Sequence, residues 1–263
     1  MGNEQPTIIQ LKRVCKSFTN KNGQMPVLEN TSLEIKRGEL IAILGESGCG
    51  KSTLLNIIGG FEQPDGGEVL LNGRPVKEPT RRCMMLFQNY GLLPWRTVRK
   101  NIELALEHLN LTKAEKKTCV DCHLKLVGLE GAEDLYPHEL SGGMQQRVAI
   151  ARAFAANPEV ILMDEPFAAL DTFNRYHLQN ELLSIQSREK TTVVLVTHDI
   201  DEAIYLSDRI IILRPNPGRI HKEIAIRLPK PRRRSGSDFQ YYRNLIFKEF
   251  PFDREEHVLE FHI

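Results

Sequence analysis

The chain of 263 residues lacks any uninterrupted apolar run of about 18 residues, the length that a membrane-spanning helix needs. An excess of charge of one sign is also missing, since the formal net charge is +1, so no overall field favours nucleic acid or an anionic membrane. Its first residues, MGNEQPT, contain no basic stretch followed by an apolar one, as a secretion signal would. We therefore expect a cytosolic protein, whose 41% of hydrophobic residues suffice for one large or two smaller domains.

Cysteine is scarce, and five is an odd number in a chain without a secretion signal, which argues against a disulfide framework. Cys119, Cys122 and His123 match the C-x-x-C-H pattern of covalent haem attachment. A zinc site would need a second pair of cysteines or histidines, and none lies nearby in the sequence. We interpret the pattern as two thiols on a solvent-facing helix.

Hydrophobic periodicity predicts an α/β core that is interrupted by an all-helical insert. Alternating or wholly apolar segments predict strands at 7–14, 27–35, 40–44, 83–87, 160–164, 191–197 and 209–213. The Asn-Gly pair in EVLLNGRPV predicts a hairpin. Helical spacing runs from Val98 to Val127, a further helix is expected from about Ser141 to Ala156, and a short C-terminal helix near Tyr241–Phe250.

A glycine-rich loop follows the strand at 40–44 and precedes a helix predicted from Thr53 to Gly59. Its sequence, GESGCGKS, fits the phosphate-binding pattern G-x-x-x-x-G-K-[ST], in which backbone N–H groups and the helix N-terminus surround the phosphates. Lys51 is expected to bridge the β- and γ-phosphates and the Ser52 hydroxyl to bind Mg²⁺. The predicted ATP-binding residues of this loop are Gly45, Glu46, Ser47, Gly48, Cys49, Gly50, Lys51, Ser52 and Thr53.

Two further motifs follow in a fixed order, LSGGMQQR from Leu140 to Arg147 and VILMDE ending at Asp164 and Glu165. Together with the glycine loop they resemble the ATP-binding cassette (ABC) family. The resemblance implies an α/β fold: a P-loop NTPase, RecA-like core with an antiparallel β subdomain and an inserted all-helical signature subdomain. It implies an ABC ATPase domain over 1–228, with its catalytic core at about 1–88 and 157–228 and its helical subdomain at about 89–156. Residues 229–263 are then a C-terminal linker and short helical tail, and we interpret the basic run RLPKPRRR at 227–234 as part of a solvated linker.

The resemblance also assigns roles to single residues, some of which would be unremarkable surface or core positions without it. Ser52, Gln88 and Asp164 would bind Mg²⁺, and Gln88 would also contact the nucleotide site. Glu165 would be the general base, with His198 and Lys51 contacting the γ-phosphate. Phe18 would stack on adenine, and Asp171 would belong to the loop that meets the second ATPase subunit.

The signature peptide opens a helix, so its N–H groups and the Ser141 hydroxyl suit a γ-phosphate. Since it lies on the helical insert, the family resemblance directs it to the ATP of a second subunit in a head-to-tail dimer. The residues expected to contact the partner's ATP are Ser141, Gly142, Gly143, Met144 and Gln145. A homodimer is expected, with a partner cassette of different sequence as the alternative.

Segments such as FQNYGLLPWRTV and THDIDEAIYLSDRIIIL resemble the import ATPases of the nitrate, sulfonate, taurine and bicarbonate group, and GLLPWRTVRKNI and VGLEGAE look nearest to the taurine cassettes. This resemblance implies transmembrane permease subunits and, through them, a solute-binding protein as partners, at the cytoplasmic face of the membrane. The expected docking residues are Tyr90, Leu92, Leu93, Pro94 and Trp95.

Two other classes share the same ATPase motifs. One is an export or lipoprotein-releasing ATPase. The other is a cassette that acts on nucleic acid or ribosomes, but such proteins usually carry two cassettes or a long coiled-coil insert, and this sequence shows neither. We therefore expect no nucleic-acid partner.

Overall fold

The computed structural model of the chain describes residues 5–20, 23–87, 89–168 and 170–250. Its strands are β1 (Thr7–Asn20), β2 (Gly23–Lys36), β3 (Leu40–Leu44), β4 (Gly66–Leu71), β5 (Arg74–Pro75), β6 (Cys83–Leu86), β7 (Val160–Asp164), β8 (Thr192–Thr197), β9 (Arg209–Arg214) and β10 (Arg219–Ala225). Its helices are α1 (Lys51–Gly59), α2 (Val98–Glu103), α3 (Lys113–Leu126), α4 (Gly142–Ala155), α5 (Thr172–Glu189), α6 (Ile200–Leu206) and α7 (Ser237–Phe247). Every strand and helix predicted from the sequence is present, with bounds that differ by a few residues.

The main sheet has six strands in the order β10-β9-β3-β8-β7-β6, and all neighbouring pairs but β10 and β9 are parallel. All five residues of β3 and all six of β8 are buried. A parallel strand covered on both faces has a continuous apolar sequence, which is why these strands are recognisable without any alternation.

A second, antiparallel sheet has the order β2-β1-β4-β5. Both β1 and β2 extend beyond the predicted 7–14 and 27–35, because their pairing continues through several register shifts as far as Asn20 opposite Gly23. Each shift moves side chains to the other face, so the alternation that marks a strand in the sequence is lost while the backbone ladder continues.

The all-helical insert lies between β6 and β7 and contains α2, α3 and α4. The helical spacing over 98–127 is divided between α2 and α3, because Thr112 begins a new helix with a capping box: its hydroxyl accepts from the Glu115 N–H and the Glu115 carboxylate accepts from the Thr112 N–H. The insert shares one apolar core with one face of the main sheet. The predicted interruption of an α/β core by helices is therefore confirmed.

Three elements were not predicted, namely α5, α6 and β10. Most of the basic run at 227–234 is exposed, but its interpretation as solvated is wrong for Arg232, whose side chain is only 5% exposed. Its guanidinium lies against backbone carbonyls at the end of α6, and the Lys230 ammonium lies 2.6 Å from the Asp208 carboxylate. The burial of Arg232 is tolerated because its guanidinium finds acceptors within the chain.

Helix α7 begins at Ser237, before the predicted Tyr241, and it packs on α6 through the buried side chains of Phe239 and Ile246. The division of the chain at residue 228 stays a prediction. In the described ranges, no helix combines the length and apolar character that crossing a membrane requires.

Candidate nucleotide site

The glycine loop connects β3 to α1 and curves around the side chain of Lys51. The Lys51 ammonium donates to the carbonyl oxygens of Gly45 and Glu46, at 2.8 Å each. Gly50, just before α1, has φ 95, a left-handed conformation that glycine adopts without steric cost. Helix α1 therefore begins two residues before the predicted Thr53, with its N-terminus at the loop.

The residues of this loop differ in their exposure to solvent. Ser47, Gly48 and Ser52 are exposed, whereas the Cys49 side chain is buried against Gly45, and burial raises the pKa of its thiol. Only the main chain of Cys49 can therefore face a phosphate. A Cβ on Gly45 would lie 2.6 Å from the Cys49 sulfur, so the loop has room for hydrogen alone at Gly45.

Ser52 and Asp164 meet at the end of β7, where the Ser52 hydroxyl donates to the Asp164 carboxylate at 3.1 Å. Burial raises the pKa of Asp164, and the negative charge of Glu165 raises it further. A hydroxyl beside a carboxylate is an oxygen donor set of the kind that Mg²⁺ binds, and a cation there would offset the charge of the carboxylates. These two residues fit the predicted metal site; Gln88, the third predicted ligand, lies outside the described residues.

Glu165 and His198 follow two neighbouring parallel strands, β7 and β8, in which Asp164 pairs with Val196. The His198 Nδ1 and Glu165 Oε1 atoms are 3.2 Å apart. Glu165 has φ 46, a conformation that costs a non-glycine residue about 1 kcal/mol or more and that is common at functional sites. The carboxylate of Glu165 is thus adjacent to both Asp164 and an exposed imidazole.

The signature peptide forms the N-terminus of α4, where the Ser141 hydroxyl accepts from the Met144 N–H at 3.3 Å. Ser141 and Gly142 are exposed and Gly143 and Met144 are half-buried. The Gln145 amide instead donates within its own chain, to the carbonyl of Pro137 at 2.9 Å. The exposed face of this helix N-terminus therefore consists of Ser141 and Gly142.

Asp171 caps α5 by accepting from the N–H groups of Phe173 and Asn174, at 3.1 Å each. Hydrogen bonds from the Asn174 backbone and side chain lower its pKa. One turn later, Arg175 donates to the carbonyl of Leu170 at 3.1 Å and lies 3.4 Å from the Asp199 carboxylate. Arg175 thus joins the loop before α5 to the residue after His198, a link that the sequence analysis missed.

Comparison with known proteins agrees with this geometry. A family model described as ABC transporter matches residues 28–168. The aliphatic sulfonates import ATP-binding protein SsuB of Bacillus subtilis is 49% identical over 235 residues, which cover 89% of this chain and 91% of the relative. An uncharacterized ABC transporter ATP-binding protein of Methanocaldococcus jannaschii is 49% identical over 238 residues, covering 90% of this chain and 89% of that protein.

This chain belongs to the ABC transporter family. It is an ABC transporter ATPase, and the fold predicted from its sequence is confirmed.

Among solved structures, a dimeric ATP-binding cassette in a post-hydrolysis state, bound to ADP and Pi, aligns with TM-score 0.76 at 35% identity, over 84% of this chain and all of that one. CbiO1 from Clostridium perfringens, part of the ABC transporter complex CbiONQ, aligns with TM-score 0.77 at 26% identity, over 93% and 94% of the two chains. The prediction that the chain is nearest to the taurine cassettes is not tested by these relatives.

Phe18 lies near the end of β1 of this ABC ATPase and is 40% exposed. It pairs across the ladder with Met25 of β2, and the same strand continues to Leu28, whose side chain lies against Gly50. The Lys16 ammonium is 5.2 Å from the centre of the Phe18 ring. An exposed aromatic ring on the strand pair that adjoins the glycine loop suits the predicted stacking on adenine.

The predicted docking residues do not share one environment. Trp95 is 71% exposed, whereas Tyr90 and Leu92 pack against the core of the insert. A groove of about 420 Å³ is lined by residues of β6 and of the helical insert. Its lining includes Met84, Phe87, Leu104, Ala105 and Arg152, which the sequence analysis did not single out.

Proposed function

We propose that the chain is the ATP-hydrolysing subunit of an ABC importer for aliphatic sulfonates. The proposed mechanism of ATP hydrolysis rests on one arrangement of side chains. Glu165 and His198 are 3.2 Å apart, and the Ser52–Asp164 contact of 3.1 Å lies beside them. The import part is supported by the similarity to SsuB of Bacillus subtilis and of Bacillus cereus, proteins named for aliphatic sulfonate import.

In this proposal Lys51 and the N–H groups of the glycine loop bind the β- and γ-phosphates. Ser52 and Asp164 would hold Mg²⁺, which would offset negative charge on the phosphate oxygens when bound. Glu165 accepts a proton from the attacking water or orients it, and His198 keeps the carboxylate in position while its exposed ring contacts the γ-phosphate. Adenine stacks on the exposed ring of Phe18.

A second copy of the chain completes each site. Ser141 and Gly142 expose a helix N-terminus, which attracts an anion such as the γ-phosphate of the opposite subunit. The dimeric state of a cassette that is 35% identical supports this arrangement. ATP would then join the two copies and hydrolysis would release them.

The groove between β6 and the helical insert is the proposed docking site of a transmembrane permease. Met84, Phe87 and Leu104 give it apolar walls, and Trp95, four residues after Gly91 of the lining, is exposed. Exposed aromatic residues are frequent anchors of protein interfaces. The chain would act as a peripheral protein at the cytoplasmic face of the membrane, with a solute-binding protein delivering the solute; taurine is the narrower prediction for that solute.

The decisive experiment is uptake of labelled taurine, a longer alkanesulfonate, nitrate and bicarbonate by cells that express the whole system. Wild-type protein is compared with Glu165→Gln, which keeps the fold and removes the base. We expect one sulfonate to accumulate only with the wild type.

Accumulation of nitrate or bicarbonate alone would overturn the sulfonate assignment. Loss of a preloaded solute, again only with the wild type, would show an exporter. Co-purification of ribosomes or nucleic acid in place of a permease would indicate the non-membrane class.

A further inference from the structure

The first turn of α6 holds the main chain of His198. The Asp199 N–H donates to the Thr197 hydroxyl at 3.0 Å, and the Asp199 carboxylate accepts from the Glu202 N–H at 3.0 Å. His198 lies in the chain between Thr197 and Asp199, which the first of these hydrogen bonds joins. Any displacement of the first turn of α6 therefore moves the imidazole relative to Glu165.

Glu202 is the buried residue of this turn, with 5% exposure. Its carboxylate accepts from the Gln179 amide at 3.1 Å and is hydrogen-bonded to the Thr197 side chain. Burial raises the pKa of Glu202 to about 7. A small cavity of about 50 Å³ lies here, and the titratable groups that line it are Glu165, Arg175, His198, Asp199 and Glu202.

Gln179 lies on α5 and is 1% exposed. Its amide oxygen accepts from the Arg234 guanidinium, and its amide nitrogen donates to Glu202. Because a guanidinium can only donate, Arg234 forces Gln179 to present its oxygen to the C-terminal segment and its NH₂ group to Glu202. Without Arg234 the amide is free to rotate, and the donor to Glu202 is no longer fixed.

Arg234 is itself held in one orientation. Its guanidinium carbon lies 3.9 Å from the ring centre of Tyr176 on α5 and 3.5 Å from that of Tyr205 on α6. Contacts of a cation with two aromatic faces, together with a hydrogen bond, immobilise a side chain that is usually flexible. Arg234 thus joins α5, α6 and the segment that follows β10.

We propose that Arg234 is a positioning residue for ATP hydrolysis, which acts through Gln179 and Glu202 on His198. The C-terminal segment thereby takes part in the reaction without contacting the nucleotide. This inference rests on the proposed role of His198.

The test is steady-state ATP hydrolysis by the full chain with Arg234→Gln, together with its thermal unfolding temperature. Substitutions that act on a site through other residues change its free energy by about 0.5–2 kcal/mol, so we expect kcat to fall about two- to thirtyfold. KM for ATP should stay within about twofold, because no atom of the phosphate loop is changed. Arg233→Gln is the matched control, since Arg233 is exposed and the substitution removes the same charge one residue away.

A double-mutant cycle tests the route. If Arg234 acts through Gln179, then Arg234→Gln combined with Gln179→Leu should be no slower than the Gln179→Leu variant alone. If the double variant is slower by the product of the two single losses in kcat, the route through Gln179 is wrong. The proposal itself fails if kcat is unchanged in Arg234→Gln, or if Arg233→Gln loses as much. A lower unfolding temperature with unchanged kcat would mean a structural role only.

Two further variants separate the remaining outcomes. Arg234→Lys retains the charge but loses the planar fork, and should lower kcat as Arg234→Gln does; it is the variant to measure if Arg234→Gln does not fold. His198→Ala distinguishes failure at the histidine from failure at the arginine. If His198→Ala has normal kcat, the proposed role of His198 fails; if it is slow while the Arg234 variants are normal, only the positioning role of Arg234 fails.

Discussion

Replacing Arg232 with methionine removes a buried guanidinium that holds the C-terminal segment against α6. The arginine donates to five backbone carbonyls, which belong to Ile204, Tyr205, Ser207, Ile226 and Leu228. Burial lowers its pKa. Methionine keeps an unbranched apolar stem, although a shorter one, and offers those carbonyls no donor.

The expected loss of stability follows from the two shortest contacts, to Ile204 and Ser207 at 2.5 Å each. A hydrogen bond from a charged group contributes about 1.5–3 kcal/mol, so these two together contribute about 3–6 kcal/mol. Part of this is offset because a buried charge no longer has to be desolvated. We expect a net destabilisation of about 3 kcal/mol, which in a chain of this size lowers the unfolding temperature by about 6–12 °C.

The assay is thermal and urea unfolding of the full chain, followed by circular dichroism, with Arg233→Met as the matched control on the exposed neighbour. The control should lie within about 0.5 kcal/mol of the wild type, as surface substitutions usually do. If Arg232→Met is as stable as its control, the contacts with the carbonyls contribute no net stability, and Arg232 does not brace the C-terminal segment.

Three further outcomes are expected. Glu165→Gln should bind ATP normally yet hydrolyse it at least about 100-fold more slowly in single-turnover assays, and near-normal turnover would refute its role as the base. Phe18→Ala should weaken ATP binding by about 5–100-fold in a nucleotide titration, with Phe18→Tyr close to wild type, because base stacking needs only the ring; equal affinities would exclude stacking. In the folded protein the pKa of Glu202 is about 7, above the value of 4.5 for an ordinary glutamate. The protonated carboxyl therefore stabilises the fold fully below pH 4.5, and this stabilisation is lost as the pH rises through 7. Glu202→Gln should therefore gain on the order of 3 kcal/mol relative to wild type between pH 4 and pH 8 in urea unfolding, and a pH-independent difference would contradict the raised pKa.

The buried strands of the main sheet were predictable because burial on both faces leaves a continuous apolar run, as in β3 and β8. The same burial hides α6, in which five of seven residues are buried, so no polar face marks a helical period. The edge strand β10 was missed for the opposite reason. Only Ile224 of its seven residues is buried, and pairing with β9 on one side is enough to form it.

Motifs indicated the residues of the candidate nucleotide site, but not those that pack behind them. Lys51, Asp164 and Glu165 occupy fixed positions in short sequence patterns, whereas Glu202 and Gln179 become neighbours only when α5 and α6 pack together. Composition also misled the interpretation of Arg232 within the basic run at 227–234. A guanidinium bonded to carbonyls inside the protein and one in water look alike in a sequence, and only the path of the backbone distinguishes them.

In the proposed dimer, the order of strands determines which part of each ATP site one chain would supply. Since β3 and β7 both flank β8, with Leu44 opposite Thr197 and Asp164 opposite Val196, the glycine loop, Glu165 and His198 all follow carboxyl ends at a single edge of the sheet. Ser141 caps a helix of the insert between β6 and β7, and in the proposed dimer the first N–H groups of that helix would face the nucleotide of a second copy. Arg175 joins the loop before α5 to the residue after His198, so in the proposed dimer these two segments would move together. The C-terminal segment also contacts α6, through Arg232 at the end of the helix and through Arg234, which reaches the first turn by way of Gln179 and Glu202. Substitution of Arg234 should therefore alter hydrolysis while leaving ATP binding unchanged.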